Sequence, residues 1–152
     1  MFPYPFFFGG SPNLFLRPDC GPIFNRLFDQ VYDYVLKQGI QQVGMGLSMY
    51  HDTAVREHNI PVEALVTLPQ ELPSGEGIWV YELPGVKQAI CTTHYGSFDN
   101  LEAAYNFIFD QLFAQGYKFI GSAREVYLEY DRQGDPAKYV TEIQIPVEKA
   151  GN

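Results

Sequence analysis

A spacing of 77 residues relates the two halves of this 152-residue chain. Four positions recur at that spacing without a gap: Gly39 and Gly116, Gly44 and Gly121, Tyr50 and Tyr127, and Pro69 and Pro146. The period is too long for a solenoid and there are only two copies, so the repeat predicts two similar half-domains that share one core or one cleft. A cleft between related halves is a natural site for a small ligand.

Length and apolar content predict one domain. A chain of 152 residues with 46% hydrophobic side chains can bury a sizeable core and lies within the usual single-domain range. We therefore predict one domain over 1–152, with internal repeats at about 1–70 and 76–148. The net charge of −8 argues against a nucleic-acid partner, because phosphate binding needs clustered basic side chains and the ten present are scattered.

The cysteines and the apolar N-terminus bear on the compartment. Cys20 and Cys91 lie far apart, so a disulfide framework is not expected. The apolar N-terminal segment contains Pro3 and Pro5. It lacks the basic region of a signal peptide and is shorter than a membrane span. We expect a cytoplasmic protein with no membrane partner, as a monomer or a homodimer.

Each half is predicted to contain one amphipathic helix. In the first half the apolar residues recur at helical spacing and Gly39 ends the helix: Phe24, Leu27, Phe28, Val31 and Val35. In the second half the corresponding residues precede Gly116: Leu101, Ala104, Tyr105, Ile108 and Leu112. Asp99 and Glu102 are predicted to form a capping box at the start of the second helix.

Strands are predicted on both sides of each helix. Those after the helices lie at about 44–51, 62–68, 121–130 and 139–147. Before the helices we predict two hairpins, one turning at Gly9-Gly10 and one turning at Pro84-Gly85. The strands form either two antiparallel sheets or one continuous sheet. The predicted fold class is α+β: a duplicated β-α-β-β module with pseudo-twofold symmetry, whose curved antiparallel sheet has both helices on one side and a ligand groove on the other.

Acidic and aromatic residues alternate on two strands of the second half. Glu125, Tyr127 and Glu129 should share one face of their strand, and Glu142 and Gln144 one face of the next. If those faces coincide, carboxylates and a phenol converge on the side without helices, an arrangement that suits an organic cation. The alternative is an ordinary solvated sheet face.

Further aromatic candidates lie on other predicted strands. Trp79 and Tyr81 alternate on the strand before Pro84 and would join the site if they share the face of Tyr127. Tyr50, the repeat counterpart of Tyr127, completes the predicted ligand-binding set.

Metal and cofactor chemistry find little support. Cys91 and His94 lack further ligands at metal-binding spacing, and His51, Asp52 and His58 lie around a predicted loop. The sequence contains no nucleophile elbow and no phosphate-binding glycine fingerprint. We predict neither a metal nor a cofactor.

Several short motifs together resemble those of the gyrase-inhibitor-like (GyrI-like) effector-binding domain, which also forms the ligand-sensing half of many MerR-type and AraC-type regulators. In the second half they are LPG at 83–85, HYGSF at 94–98, REVY at 124–127 and TEIQIPV at 141–147. In the first half they are GP at 21–22, YHD at 50–52 and VEALV at 62–66, followed by Pro69. The resemblance extends over about 14–147.

The resemblance implies a groove between the two copies that binds lipophilic cations, with Glu125 facing that groove and Glu142 as a second acidic position. It also implies an alternative activity, because some family members are hydrolases of strained cyclopropane-containing genotoxins that use a groove glutamate and an aromatic hydroxyl. Glu125 would then be catalytic, with Tyr81 or Tyr127 as its partner. A protein-interaction role on gyrase is the third possibility. No helix-turn-helix precedes Gly21, so we expect ligand binding without a DNA-binding domain.

Overall fold

The computed structural model describes residues 7–15, 20–42, 44–51, 60–83 and 85–151, with the backbone alone at 7–15, 20–23, 60 and 61. Within these ranges, two α-helices and eight strands follow in chain order: β1 (Phe7–Phe15), α1 (Cys20–Lys37), β2 (Gly46–Tyr50), β3 (Ile60–Leu68), β4 (Trp79–Glu82), β5 (Ala89–Tyr95), α2 (Leu101–Ala114), β6 (Tyr117–Phe119), β7 (Ala123–Glu129) and β8 (Val140–Lys149). One turn of 3-10 helix, Phe98–Asn100, precedes α2.

Seven strands form one open antiparallel sheet in the order β4-β1-β3-β2-β7-β8-β5, and β6 pairs with the end of β8. The first half contributes β1-β3-β2 and the second half contributes β7-β8-β5, so the two halves meet where β2 pairs with β7. The predicted α+β fold, with a duplicated module and pseudo-twofold symmetry, is confirmed.

The register between β2 and β7 locates the symmetry axis. Gly46 pairs with Tyr127 and Tyr50 pairs with Ala123, and the 77-residue offset converts each of these pairs into the other. Ser48 pairs with Glu125, and these two residues are themselves 77 positions apart. The local twofold axis therefore passes between Ser48 and Glu125, so that one half presents a hydroxyl where the other presents a carboxylate.

Both predicted hairpins are wrong. β1 continues as one strand through Gly9 and Gly10, and β4 pairs with β1 while β5 pairs with β8. The segment around Gly85 therefore joins opposite edges of the sheet instead of turning between neighbouring strands. Three parts of the predictions lie outside the described residues: positions 1–6 of the first strand, Pro84 of the second turn, and the loop residues Asp52 and His58.

The two helices cover the same face of the sheet but different halves of it. Residues of α1 pack on β3 through Leu27, Val31 and Val35. Residues of α2 pack on β7 and β8 through Ile108 and Leu112. Each helix packs on a separate hydrophobic cluster of the sheet. A groove therefore remains between the helices, over the central strands β2 and β7.

The ends of the two helices repeat, and the start of α2 differs from its predicted form. Gly39 and Gly116, equivalent in the repeat, have φ angles of +86° and +78° just after α1 and α2, which is the left-handed conformation that favours glycine. The predicted capping box of Asp99 and Glu102 is wrong, because Ser97 Oγ accepts a hydrogen bond from the Asp99 amide at 3.1 Å and starts the 3-10 turn before α2.

The sheet face opposite the helices is also packed. Leu47, Leu65 and Val126 lie on this face and are each at most 2% exposed. Tyr81 and Leu83 pack against them from the β4 edge. Within the described part of the chain, neither helix combines the length and apolar character that a membrane crossing requires.

Candidate functional site

A groove of about 650 Å³ lies between the helices, over the central strands β2 and β7. Its walls come from α1, β2, the start of α2, the end of β7 and the loop that follows β7. This volume is within the range of ligand-binding clefts in proteins. A smaller cavity of about 360 Å³ beside α1 is lined largely by polar side chains and by residues 76–78.

Aromatic side chains dominate the wall of the groove. Among the residues with described side chains, eight aromatic ones line it: Phe24, Phe28, Tyr32, Tyr50, Phe98, Tyr127, Tyr130 and Tyr139. The rings contact one another, with centroid distances of 5.6 Å for Phe98 and Tyr127 and 4.9 Å for Tyr130 and Tyr139. Gly46 allows Phe28 to approach the sheet, because a Cβ at that position would lie 3.3 Å from its ring. The groove therefore offers several ring faces to a flat ligand.

Glu125 lies on the wall of this groove and is 4% exposed. Tyr105, on α2, donates a hydrogen bond to Glu125 Oε1 at 2.7 Å. Tyr127, two residues along β7, donates one to Oε2 at 3.1 Å. The Tyr127 hydroxyl also lies 2.7 Å from Ser48 Oγ. Each oxygen of the carboxylate thus has a phenol donor, which fixes its orientation and delocalises its negative charge.

Burial keeps the Tyr127 phenol neutral. Desolvation, followed by the negative charge of Glu125, raises the pKa of Tyr127 well above its usual range. The hydroxyl therefore remains protonated at physiological pH and continues to donate to Glu125.

The rim of the groove carries the other charges. Glu129 and Arg132 both line the opening. Arg132 Nη1 makes an ion pair of 3.0 Å with Asp29 Oδ1 on α1, which links the loop after β7 to the helix across the groove. Asp29 therefore balances the charge of this guanidinium, while Glu129 adds an acidic side chain to the groove lining.

The model of the GyrI-like small-molecule binding domain family matches residues 16–148 of the chain. The chain belongs to this family. Several solved structures have the same fold as this GyrI-like protein. The C-terminal domain of EcmrR is 24% identical, with a TM-score of 0.81, over 96% of this chain and 93% of that one.

Two further structures extend the comparison. EcmrR in complex with DNA is 25% identical with a TM-score of 0.80, and the match covers 96% of this chain and 55% of that chain. The GyrI-like chain therefore spans about half the length of that protein. A hydrolase from Listeria innocua shares the fold at 14% identity and a TM-score of 0.67, over 97% and 90% of the two chains. No curated protein matches by sequence.

The structure brings together three of the six predicted ligand-binding residues of this GyrI-like domain. Glu125, Tyr127 and Tyr50 all line the groove. They lie on the face that carries the helices, so the expected convergence on the uncovered face is wrong. The pairing of β2 with β7 gives the reason, because it places Ser48, Glu125 and Tyr127 beside the core residues under the helices.

The other three predicted residues lie elsewhere. Glu142 pairs with Val126, whose side chain belongs to the opposite face, and it accepts a hydrogen bond from Gln144 at 2.6 Å. Its predicted convergence with Glu125 is therefore wrong. Trp79 is 59% exposed on the edge strand β4. Tyr81 packs on the opposite face and donates a hydrogen bond to Glu63.

Sequence reasoning missed several groove residues because their spacing resembles that of core residues. Phe24, Phe28 and Tyr105 were predicted as the buried side of their helices, yet Phe24 and Phe28 line the groove and the Tyr105 hydroxyl reaches Glu125. Phe98 belongs to the HYGSF motif at 94–98, and its place in that family motif could have indicated a groove residue. Ser48 had a signal in the repeat itself, since it is the counterpart of Glu125. Among the described residues, no three acidic, histidine or cysteine side chains form a metal-binding group.

Proposed function

We propose that this GyrI-like domain binds a planar aromatic cation in the groove between α1 and α2, with Glu125 as its counter-charge. The observation that supports this most directly is a carboxylate that is 4% exposed inside a groove lined by eight aromatic rings. Ligand binding itself would be the protein's activity, either to sense such compounds or to sequester them.

The charge of the groove favours a cation over a neutral ligand. Any ligand that fills the groove removes water from Glu129 and from the space beside Glu125. A neutral ligand leaves those carboxylates less solvated without an opposite charge, whereas a cation compensates them in a medium of low polarity. The surrounding rings add a further attraction to positive charge.

The hydrogen bonds of Glu125 favour a delocalised charge. Both carboxylate oxygens already accept phenol hydrogen bonds from Tyr105 and Tyr127. A compact ammonium needs strong acceptors to replace its lost hydration, and here it would compete with those phenols. A cation that spreads its charge over a ring system needs fewer hydrogen bonds and stacks on the rings of Phe28 and Phe98.

Titration with a panel of dyes tests this proposal. Planar cationic dyes and neutral analogues of matched size are titrated by calorimetry and by dye fluorescence. Fluorescence of Trp79 is unsuitable as a readout, because Trp79 is exposed on β4 and does not line the groove. We expect saturable binding of the cations, and Glu125→Gln should weaken it by ~10-fold to ~100-fold, the size of one charge-assisted interaction.

Glu142→Gln is the matched control, since it removes an equal charge on the adjacent strand but on the opposite face. Its cation affinity should stay within about threefold of wild type. Equal weakening by both substitutions would mean that net charge, not the groove, attracts the dyes. Absence of saturable binding would contradict the proposal and favour a protein-interaction role.

Hydrolysis of strained cyclopropane compounds is the second candidate function. It is supported by the contact of Glu125 with two tyrosine hydroxyls, since a carboxylate and a phenol within hydrogen-bonding distance can move a proton to and from water. Tyr127 or Tyr105 would be the aromatic partner. Incubating a cyclopropane-containing alkylating compound with the protein should give the water-opened product, and Glu125→Gln should abolish its formation.

A further inference from the structure

A second polar cluster lies outside the groove, and its members come from four segments of the chain. His51 follows β2, Glu63 lies in β3, Tyr81 lies in β4 and Ser122 precedes β7. Tyr81 belongs to the packed face opposite the helices. The cluster is therefore separate from Glu125 and from the aromatic rings of the groove.

The four side chains of the cluster are arranged in series. His51 Nδ1 lies 2.7 Å from Ser122 Oγ, and His51 Nε2 lies 3.5 Å from Glu63 Oε1. Tyr81 donates a hydrogen bond to the other oxygen, Glu63 Oε2. A hydroxyl, an imidazole and a carboxylate in this order are the components of an activated serine nucleophile.

The ionisation of Glu63 determines the tautomer of His51. Burial raises the pKa of Glu63, but hydrogen bonds from His51 and Tyr81 outweigh burial and lower that pKa overall. An ionised carboxylate only accepts hydrogen bonds, so the proton of a neutral His51 ring belongs on Nε2. Nδ1 then has a free lone pair directed at Ser122 and can accept its hydroxyl proton.

We propose that Ser122, His51 and Glu63 form a second active site that hydrolyses small carboxylic esters. A site of this kind needs a shielded carboxylate and an accessible nucleophile. The Glu63 side chain is 12% exposed, the His51 side chain is 31% exposed, and Ser122 is partly exposed. The orienting carboxylate is thus shielded, while the nucleophile is open to a substrate from solvent.

The reaction proceeds through an acyl-serine. Ser122 Oγ bonds to the ester carbonyl carbon as its proton passes to His51 Nδ1. The carbon–oxygen bond to the alcohol then breaks, and the alcohol leaves with the proton from His51. Water next attacks the acyl carbon, His51 accepts a proton from that water, and Ser122 Oγ departs as the hydroxyl after taking the proton back. One ester and one water give one acid and one alcohol, while Glu63 remains ionised and orients His51.

Arg124 adds positive charge to this cluster. It lies two residues after Ser122 on β7, is 6% exposed, and interacts electrostatically with Tyr81. Burial and then Glu63 raise the pKa of Tyr81, and the positive charge of Arg124 opposes that shift.

A fluorophosphonate probe and p-nitrophenyl acetate test the proposal on the full chain. We expect the probe to modify Ser122, as located by mass spectrometry of the digested protein. Ser122→Ala and His51→Gln should each lower ester hydrolysis by ~100-fold or more, in keeping with the loss of a nucleophile or general base. Glu63→Gln should lower kcat with little change in KM, because Glu63 orients His51 and does not touch the ester.

One control variant shows whether hydrolysis depends on this cluster. Ser74→Ala removes a hydroxyl whose oxygen accepts a hydrogen bond from the Val80 amide and should leave hydrolysis unchanged. Absence of probe at Ser122 in the wild-type protein would overturn the proposal, as would hydrolysis that persists in Ser122→Ala.

Discussion

The two faces of the sheet each hold a glutamate that accepts a hydrogen bond from a tyrosine, but the neighbours of the two carboxylates differ. Glu125, on the helix-bearing face, is bonded by Tyr105 and Tyr127 and lies on a groove of aromatic rings. Glu63, on the face without helices, is bonded by Tyr81 and contacts His51. His51 lies beside Glu63, whereas a groove of about 650 Å³ lies beside Glu125. The same pair of residue types is therefore suited to two roles.

The largest expected effect is a loss of stability when a buried side chain is shortened on either face of the sheet. It tests whether the face without helices is packed as well as the helix-bearing face. Leu65, on that face, and Ile143, on the helix-bearing face, are both 0% exposed. Each substitution by alanine should lower the free energy of unfolding by ~2 to ~5 kcal/mol, measured by urea denaturation, because a cavity is added to the lost apolar burial. Leu36→Ala, at a side chain 58% exposed, is the control. A loss below about 1 kcal/mol for Leu65→Ala would show that its face is not a true core.

An intermediate effect distinguishes the two tyrosines. Tyr127→Phe and Tyr81→Phe each remove a hydroxyl that donates to a carboxylate. Each should lower the free energy of unfolding by ~1 to ~3 kcal/mol, the usual penalty for a buried acceptor that loses its donor. Only Tyr127→Phe should change the affinity for cationic dyes. Equal loss of dye affinity in both variants would mean that the two faces are not functionally distinct.

The smallest effect is the dependence of stability on acid. The folded-state pKa of Glu63 is lowered, so its contribution to stability is present above its unfolded pKa of about 4.3 and is lost as pH falls through the folded pKa. Urea denaturation between pH 7 and pH 3 should therefore show a loss of stability on acidification that is smaller in Glu63→Gln. Glu142→Gln, on the same face, provides the comparison. If Glu63→Gln lost as much stability on acidification as the wild-type protein, Glu63 would not be ionised in the way that the proposed ester site requires.

Local pattern was sufficient for the helices and for most strands. The apolar spacing from Phe24 to Val35 and the glycines at 39 and 116 predicted α1, α2 and their ends, since helix periodicity and left-handed glycines are properties of neighbouring residues. Strand pairing was different. Nothing local to Trp79–Glu82 indicates that this strand pairs with β1 and not with β5, because pairing partners are distant in the chain.

The candidate site shows the same division. Alternation correctly predicted that Glu125 and Tyr127 share a face, but it could not determine which face lies under the helices. That choice depends on how β2 registers with β7, where Ser48 is opposite Glu125. Glu142 was misplaced for the same reason, because its orientation relative to Glu125 is set by the pairing of β8 with β7.

From sequence alone, the 77-residue repeat, the helix periodicity and the family motifs determined a duplicated α+β domain with a glutamate on its seventh strand as the central candidate. Only the tertiary structure decided that the groove opens between the helices, that rings from α1 and from the turn before α2 line it, and that Glu63 joins His51 and Ser122 on another part of the surface. The physical reason is that periodicity describes which side chains of one segment point together, whereas a site is made by segments whose contact depends on the register and packing of the whole sheet.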